Sequence, residues 1–152
     1  MILVQISDTH IDEPGALVYG HFDTSRALAR AVDVINAMDP GPDLVLHTGD
    51  IASHGSVPRY QAFKEIVGAL NVPLAVIPGN HDERNALRQV FGGTSSLPTT
   101  GDFLHYVIED HPVRIICALA DVDEDAVPDS RGFGGLPGLR EQARRENGTQ
   151  DS

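Results

Sequence analysis

The chain has 152 residues, of which 41% are hydrophobic, and its formal net charge at pH 7 is −11. This length allows one domain with a hydrophobic core, and no apolar stretch approaches the ~20 residues of a transmembrane helix. The negative charge argues against nucleic acid and anionic membranes as partners, because both attract clusters of Lys and Arg. The chain has one cysteine, Cys117, and its start lacks the basic segment of a secretory signal, so we expect a cytoplasmic protein.

Residues 1–91 predict alternating strands and helices. Apolar runs bounded by Gly, Pro or Asp indicate buried strands at residues 2–6, 43–47 and 74–77. A long loop covers residues 7–22, and Asp23 or Thr24 then caps a helix that stops before Pro40. The apolar residues of this helix recur at helical spacing: Leu28, Ala31, Val32, Ile35 and Met38.

Two more helices follow the second and third strands. Ser56 is the predicted N-cap of the second helix, and Pro58 lies in its first turn. The apolar residues that mark its buried face are Phe63, Ile66, Val67 and Leu70. A shorter helix is predicted at residues 83–91. This alternation is typical of an α/β fold with a mainly parallel sheet.

The last third of the chain carries a weaker pattern. Residues 103–108 and 113–119 predict an antiparallel pair of strands with a turn at residues 109–112. Residues 132–138 are rich in glycine, residues 139–146 favour a short charged helix, and residues 147–152 favour a disordered end. We therefore divide the chain into a folded portion, residues 1–120, and an irregular or divergent tail, residues 121–152.

Three polar signatures stand where the three predicted parallel strands end. They are Asp8-Thr9-His10, Gly49-Asp50 and Gly79-Asn80-His81-Asp82. Ligand sites in open α/β sheets form at the carboxyl ends of the strands, so one sheet edge would carry two carboxylates, one amide and two imidazoles. Such mixed oxygen and nitrogen donors suit one or two transition-metal ions. Each signature alone is weak, but all three in this order are a strong signal.

Each of these residues also has an ordinary interpretation. Asp8 and His10 flank one residue and would point to the same side of an extended chain, but taken alone they are better explained by an Asx-turn with an exposed histidine. Gly49-Asp50 is also a common turn. Asn80 offers a neutral oxygen that adds no charge to a metal shell, whereas the ordinary alternative is a hairpin or helix-cap turn.

Three further histidines near the signatures are predicted to act in ways other than binding metal. If Asn80 faces the metal, His81 faces the other way, where it would contact a substrate phosphate or protonate a leaving oxygen. His54 lies four residues past Asp50 and is a weak candidate for a substrate contact. His47 is expected to pack beside the site, and Cys117 is expected in the core.

Together the three signatures closely resemble the first three blocks of the calcineurin-like metallophosphoesterases. The resemblance is to the branch of class III cyclic nucleotide phosphodiesterases and the related glycerophosphodiesterases. It covers roughly residues 1–120 and includes the loop at residues 17–20 and the helix start at Asp23-Thr24. It implies an α/β/β/α sandwich, of which this chain would hold an incomplete N-terminal portion.

The resemblance also implies a function. Asp8 and His10 would bind one metal ion, Asp50 would bridge two, Asn80 would bind the second, and His81 would act catalytically on the phosphate. The ions in this family are iron, manganese, zinc or cobalt, and a pair of them clamps the phosphate group and activates the attacking water. The expected substrate is a small phosphodiester, either a cyclic nucleotide or a glycerophosphodiester.

The sequence departs from the family in its second half. Members of the family continue well past this length and supply three more histidine ligands, none of which aligns with His111, the last histidine here. We therefore expect a truncated, impaired metal centre and an uncovered apolar sheet face that promotes homo-oligomers. The alternative is an inactive remnant, or a module that binds metal or phosphate without turnover. A flavodoxin-like domain ranks last, because Asp8 stands where such a domain needs a phosphate-cradling glycine loop.

Overall fold

The computed structural model of the chain describes residues 1–93, 97–100 and 104–118. These residues belong to one compact unit, Met1–Leu119. The tail predicted at residues 121–152, with its short helix, lies outside the described residues. The elements are β1 (Leu3–Ile6), α1 (Thr24–Asn36), β2 (Leu44–His47), α2 (Val57–Val67), β3 (Leu74–Val76), α3 (Arg84–Phe91), β4 (Tyr106–Ile108) and β5 (Ile115–Cys117).

The first three strands form one parallel sheet in the order β1-β2-β3. Its register pairs Leu3 with Leu44 and Val45 with Leu74. All four residues of the central strand β2 are buried, as its unbroken apolar run predicts for a strand covered on both faces. The predicted parallel arrangement is confirmed, and all three strands deliver their carboxyl ends to one edge.

The helices build the larger core. Asp23 caps α1, because its Oδ1 accepts a hydrogen bond from the Arg26 backbone N–H at 2.9 Å. Glu83 caps α3 with both carboxylate oxygens, which accept from the backbone of Asn85 and Ala86. Most of the helix-side core comes from the buried residues Ile11, Leu28, Val32, Ile51, Tyr60, Phe63, Val67, Val76, Leu87 and Phe91. Within the described residues, no helix is long and apolar enough to cross a membrane.

A hairpin covers the opposite face of the sheet. The strands β4 and β5 pair in antiparallel fashion, with Val107 opposite Ile116, as the sequence predicted but over shorter spans. A second core cluster joins the sheet to this hairpin, and its buried residues are Leu44, Leu46, Ala75, Ile108 and Cys117. The hairpin therefore covers β2 and β3, while Leu3 on β1 stays 45% exposed and Ile116 on the hairpin 68% exposed.

Two details of the helices differ from the sequence pattern. The helix α1 ends at Asn36, so Met38 lies beyond it and is exposed. On α2, Tyr60 is fully buried, whereas Ile66 is only partly buried. The positions 60, 63 and 67 follow helical spacing, so the signal for Tyr60 was present in the sequence.

Candidate metal centre

The loops that leave β1 and β2 stay paired beyond the ends of the strands. The Asp8 N–H donates to the Gly49 carbonyl and the His10 N–H to the Asp50 carbonyl, each at 3.0 Å. A parallel bridge between Ile11 and Ala52 continues the pairing. This continued ladder sets Asp8 and His10 beside Asp50, which lies 42 and 40 positions further along the chain.

Three residues at this edge have a backbone in the left-handed region. The φ angles are 56° at Asp8, 42° at His10 and 54° at Asp50. Residues other than glycine rarely adopt such angles, although Asp, Asn and His tolerate them better than most. Conformations of this kind concentrate at functional sites, where the surrounding structure holds them in place.

These three side chains form a compact group of possible metal ligands. His10 Nε2 lies 4.0 Å from Asp8 Oδ1 and 4.0 Å from Asp50 Oδ2, and one ligand atom from each residue lies within 4.8 Å of the others. Donors that share one ion at about 2.0–2.2 Å are at most about 4 Å apart, so the group is slightly wider than a loaded site. Two carboxylates and one imidazole, all partly accessible, fit a transition-metal ion.

The loop after β3 touches Asp50 directly. The His81 N–H donates to Asp50 Oδ1 at 3.1 Å, which leaves Oδ2 facing His10. A Cβ on Gly79 would overlap both the backbone and the carboxylate of Asp50, and one on Gly49 would lie 2.8 Å from Gly79 Cα. Only glycines permit this approach. Asn80 is exposed in the same turn, between Gly79 and His81, both of which contact Asp50.

Three histidine rings meet beside the carboxylates. The His81 ring lies 5.1 Å from the His10 ring in an edge-to-face arrangement, and the His54 ring stacks 6.5 Å from His81. His81 Nδ1 lies 3.2 Å from the Ser53 carbonyl oxygen. Because a carbonyl only accepts, Nδ1 carries the proton, and Nε2 of the neutral ring has a free lone pair. Both His81 and His54 are thus brought to the site.

A buried histidine, His47, forms a hydrogen bond with Thr9 in the loop after β1. His47 is fully buried and packs edge-to-face on Phe63. Its Nε2 lies 2.9 Å from Thr9 Oγ1, which donates its own hydrogen to the Ile51 carbonyl, so Nε2 must carry the proton. Burial lowers the pKa of His47 from 6.5 to about 4, although the charges of Asp8 and Asp50 oppose the shift. The expectation that His47 packs beside the site is confirmed.

Two polar networks at the site were missed in the sequence. Asp12 accepts hydrogen bonds from Arg59 Nε at 2.7 Å and from Ser53 Oγ at 2.9 Å. The bond from Arg59 is the main reason that the pKa of Asp12 is lowered. The second network centres on Asp82 and Tyr60. Asp82 belongs to the third signature, but nothing local indicated three of its four partners, Ile51, Ala52 and Tyr60, which lie 22 to 31 residues away.

Cys117 and the remaining histidines are not members of this group. Cys117 is fully buried, as predicted, and burial raises the pKa of its thiol. His21 and His105 are exposed, and His111 is partly exposed. Among the residues that the structure describes, Asp8, His10 and Asp50 form the one cluster of His, Cys, Asp and Glu with metal-site geometry.

Comparison with protein families gives one match over most of the chain. The model of the calcineurin-like phosphoesterases matches residues 1–134. The match covers all three signatures, β1 to β5 and α1 to α3. It confirms the family resemblance and the α/β fold class predicted from the sequence.

Several curated bacterial proteins are similar to this chain. A probable glycerophosphodiester phosphodiesterase GpdQ of Arcobacter nitrofigilis is 46% identical over 116 residues, which is 76% of this chain and 42% of that protein. The glycerophosphodiester phosphodiesterase GpdQ of Enterobacter lignolyticus is 34% identical over 120 residues, which is again 76% of this chain and 42% of that protein. The 3',5'-cyclic adenosine monophosphate phosphodiesterase CpdA of Pseudomonas aeruginosa is 37% identical over 98 residues, 64% of this chain and 36% of that protein. The chain thus spans less than half the length of these relatives.

Proposed function

Because this chain belongs to the calcineurin-like phosphoesterase family, we propose that it is a metal-dependent phosphodiesterase that uses the group at the sheet edge. The observation that carries the proposal is the convergence of Asp8, His10 and Asp50, whose ligand atoms lie within 4.8 Å of one another. A carboxylate-lined edge repels a phosphodiester unless cations neutralise it. A metal-loaded centre resolves that conflict.

Each residue has a distinct role in this proposal. Asp8 and His10 hold one ion, Asp50 bridges that ion to a second, and Asn80 completes the second site with its neutral oxygen. Bound metal ions would neutralise the phosphate and activate the attacking water. The contact between Gly79 and Asp50 supports the bridging role, because it fixes the carboxylate between the loops that carry His10 and Asn80. Iron, manganese, zinc and cobalt are the candidate ions.

His81 is the proposed catalytic residue. Its Nδ1–H is engaged by the Ser53 carbonyl, so the ring is oriented and Nε2 faces the substrate side. When Nε2 is also protonated, it would give that proton to the leaving oxygen, which departs as an alcohol and leaves the ring neutral. His54 stacks on the outer side of His81 and is exposed. That position suits a contact with the part of the substrate beyond the phosphate.

The substrate class follows from the relatives. The names of the similar proteins refer to glycerophosphodiesters and to cyclic nucleotides, and both are small phosphodiesters. We propose a substrate of this class, hydrolysed in the cytoplasm by the folded portion over residues 1–120. The buried single cysteine suits a reducing compartment. Association of chains through the hairpin face is part of the proposal.

The alternative is a module that binds a metal or phosphate ligand without turnover. The specific observation in its favour is the small number of donors: among the described residues, the cluster offers three ligands, two carboxylates and one imidazole. A transition-metal site with few protein ligands holds its ion loosely and positions water poorly.

Metal content and hydrolysis, measured together on the purified 152-residue chain, distinguish these functions. The experiment loads the metal-free protein with Mn²⁺ or Co²⁺, removes excess ion and measures metal per chain. Hydrolysis of an aryl phosphodiester is followed at stoichiometric and at excess metal. Binding with hydrolysis that rises with excess metal supports the phosphodiesterase. Metal binding without hydrolysis supports the binding module. A chain that binds no metal excludes both the metal-dependent phosphodiesterase and a metal-binding module.

A further inference from the structure

The carboxylate of Asp82 joins two of the three loops that carry the proposed metal ligands, the loop after β2 and the loop after β3. Its Oδ2 accepts from the Ile51 N–H at 3.1 Å and from the Gly79 N–H at 2.8 Å, and its Oδ1 accepts from the Ala52 N–H at 3.3 Å. Ile51 follows Asp50 directly and Gly79 precedes Asn80 directly. One side chain therefore holds the backbone on both sides of the site.

Tyr60 anchors this carboxylate to the core. Its hydroxyl donates to Asp82 Oδ1 at 3.0 Å and accepts from the Glu83 N–H at 2.8 Å. The ring is fully buried, and burial is the main cause that raises the pKa of the phenol. The phenol therefore stays a neutral donor to the carboxylate at any physiological pH. Asp82 is thus fixed to α2 as well as to the two loops.

We propose that Asp82, anchored by Tyr60, is a positioning residue that sets the spacing between Asp50 and Asn80 and thereby the metal affinity of the centre. The inference rests on the proposed metal centre and deepens it. Asp82 accepts four hydrogen bonds, three of them from backbone N–H groups. A carboxylate is suited to this task because it has acceptors only.

Asparagine at position 82 would reverse part of this network. Its amide keeps the shape of the carboxylate, but one end becomes an NH₂ donor that faces donors from Ile51 and Gly79, or from Ala52 and Tyr60. At least one loop must then move away from the other. Loss of a group that orients metal ligands without binding the metal itself typically weakens metal affinity about 10–100-fold.

The test measures Mn²⁺ binding by the electron paramagnetic resonance signal of the free ion, for the full chain and three variants. The variants are Asp82→Asn, Tyr60→Phe and Val67→Ala. Val67 is buried at the far end of α2, so its truncation destabilises the same helix without touching the network. Tyr60→Phe keeps the buried ring and three of the four bonds to Asp82. Hydrogen exchange on the metal-free proteins measures how well the backbone amides of Ile51, Ala52 and Gly79, which donate to Asp82, are protected.

The expected result is a graded loss of affinity. The Kd for Mn²⁺ should rise about 10–100-fold for Asp82→Asn and less for Tyr60→Phe, whereas it stays within about 2-fold of the parent for Val67→Ala. The three amides should exchange faster in metal-free Asp82→Asn. Equal affinity of the parent and both network variants would overturn the positioning role and leave the metal centre intact. Failure of the parent itself to bind Mn²⁺ would overturn the proposed function, and the inference with it.

Discussion

The backbone N–H of His81 donates a hydrogen bond to Oδ1 of Asp50 at 3.1 Å. The second oxygen of that carboxylate lies 4.0 Å from His10 Nε2. Asp50 therefore stands between the loop that follows β1 and the loop that follows β3, with one oxygen directed to each. A ligand shared by two ions needs this placement.

Asp50→Ala should abolish metal binding. The substitution removes the one carboxylate that contacts both neighbouring loops, so we expect Mn²⁺ or Co²⁺ affinity to fall more than about 100-fold and hydrolysis to disappear. His54→Ala is the matched control, because His54 stacks on His81 but lies outside the ligand group. It should keep metal binding and change the ratio of rates between cyclic and open-chain phosphodiesters. Retained stoichiometric metal in Asp50→Ala would contradict the bridging role.

Gly79→Ala should damage the site through backbone contact. The added Cβ overlaps Asp50, so either the β3 loop or Asp50 must shift, at a cost of about 1–3 kcal/mol in the free energy of unfolding. Metal affinity should fall with it. At Gly41 the nearest atom to an added Cβ is the Met38 carbonyl oxygen at 3.6 Å, an ordinary contact. Gly41→Ala should therefore change stability by less than about 0.5 kcal/mol. Urea unfolding of both variants checks the difference.

The buried His47 should make stability depend on pH. Its pKa is lowered from 6.5 to about 4, so the unfolded chain binds a proton at pH values where the folded chain does not. The contribution is fully present above pH 6.5 and is lost as pH falls from about 6.5 to about 4. Between pH 7.5 and pH 5 the loss should be about 2 kcal/mol.

His47→Gln provides the comparison, because glutamine does not titrate. The variant should be less stable than the parent at pH 7.5, since it cannot reproduce both contacts of the ring with Thr9 and Gly49. Its stability should nevertheless fall less between pH 7.5 and pH 5. Parallel slopes for the two proteins in urea unfolding at these pH values would show that His47 is not the group responsible.

The exposed face of the hairpin should promote association of chains. Val107 and Ile116 lie opposite each other and are 46% and 68% exposed, and a contiguous apolar surface favours association. Ile116→Lys should shift the sedimentation of the chain towards the monomer. Val34, on α1, is 67% exposed, so Val34→Lys adds the same charge at matched exposure and should leave sedimentation unchanged. A parent chain that sediments as a monomer and binds no hydrophobic dye would contradict this prediction.

The sequence alone determined the elements and the identity of the proposed site residues. Each signature begins within three residues of the end of an apolar run, so a local pattern was enough to place Asp8, His10, Asp50 and Asn80 at the carboxyl ends of parallel strands. The sequence limited the cap of α1 to Asp23 or Thr24 for the same reason, because capping acts within one turn, and the structure selects Asp23. The metal-binding and catalytic roles of these residues stay predictions.

Only the tertiary structure decided what holds those residues in place. The bonds from Ile51 and Ala52 to Asp82 cross about thirty residues of sequence, and the contact between Gly79 and Asp50 depends on how closely two loops approach. The tertiary structure also decided that the hairpin packs on Leu44 and Leu46. Such contacts have no local signature, because they depend on the three-dimensional arrangement of segments that are distant in the chain.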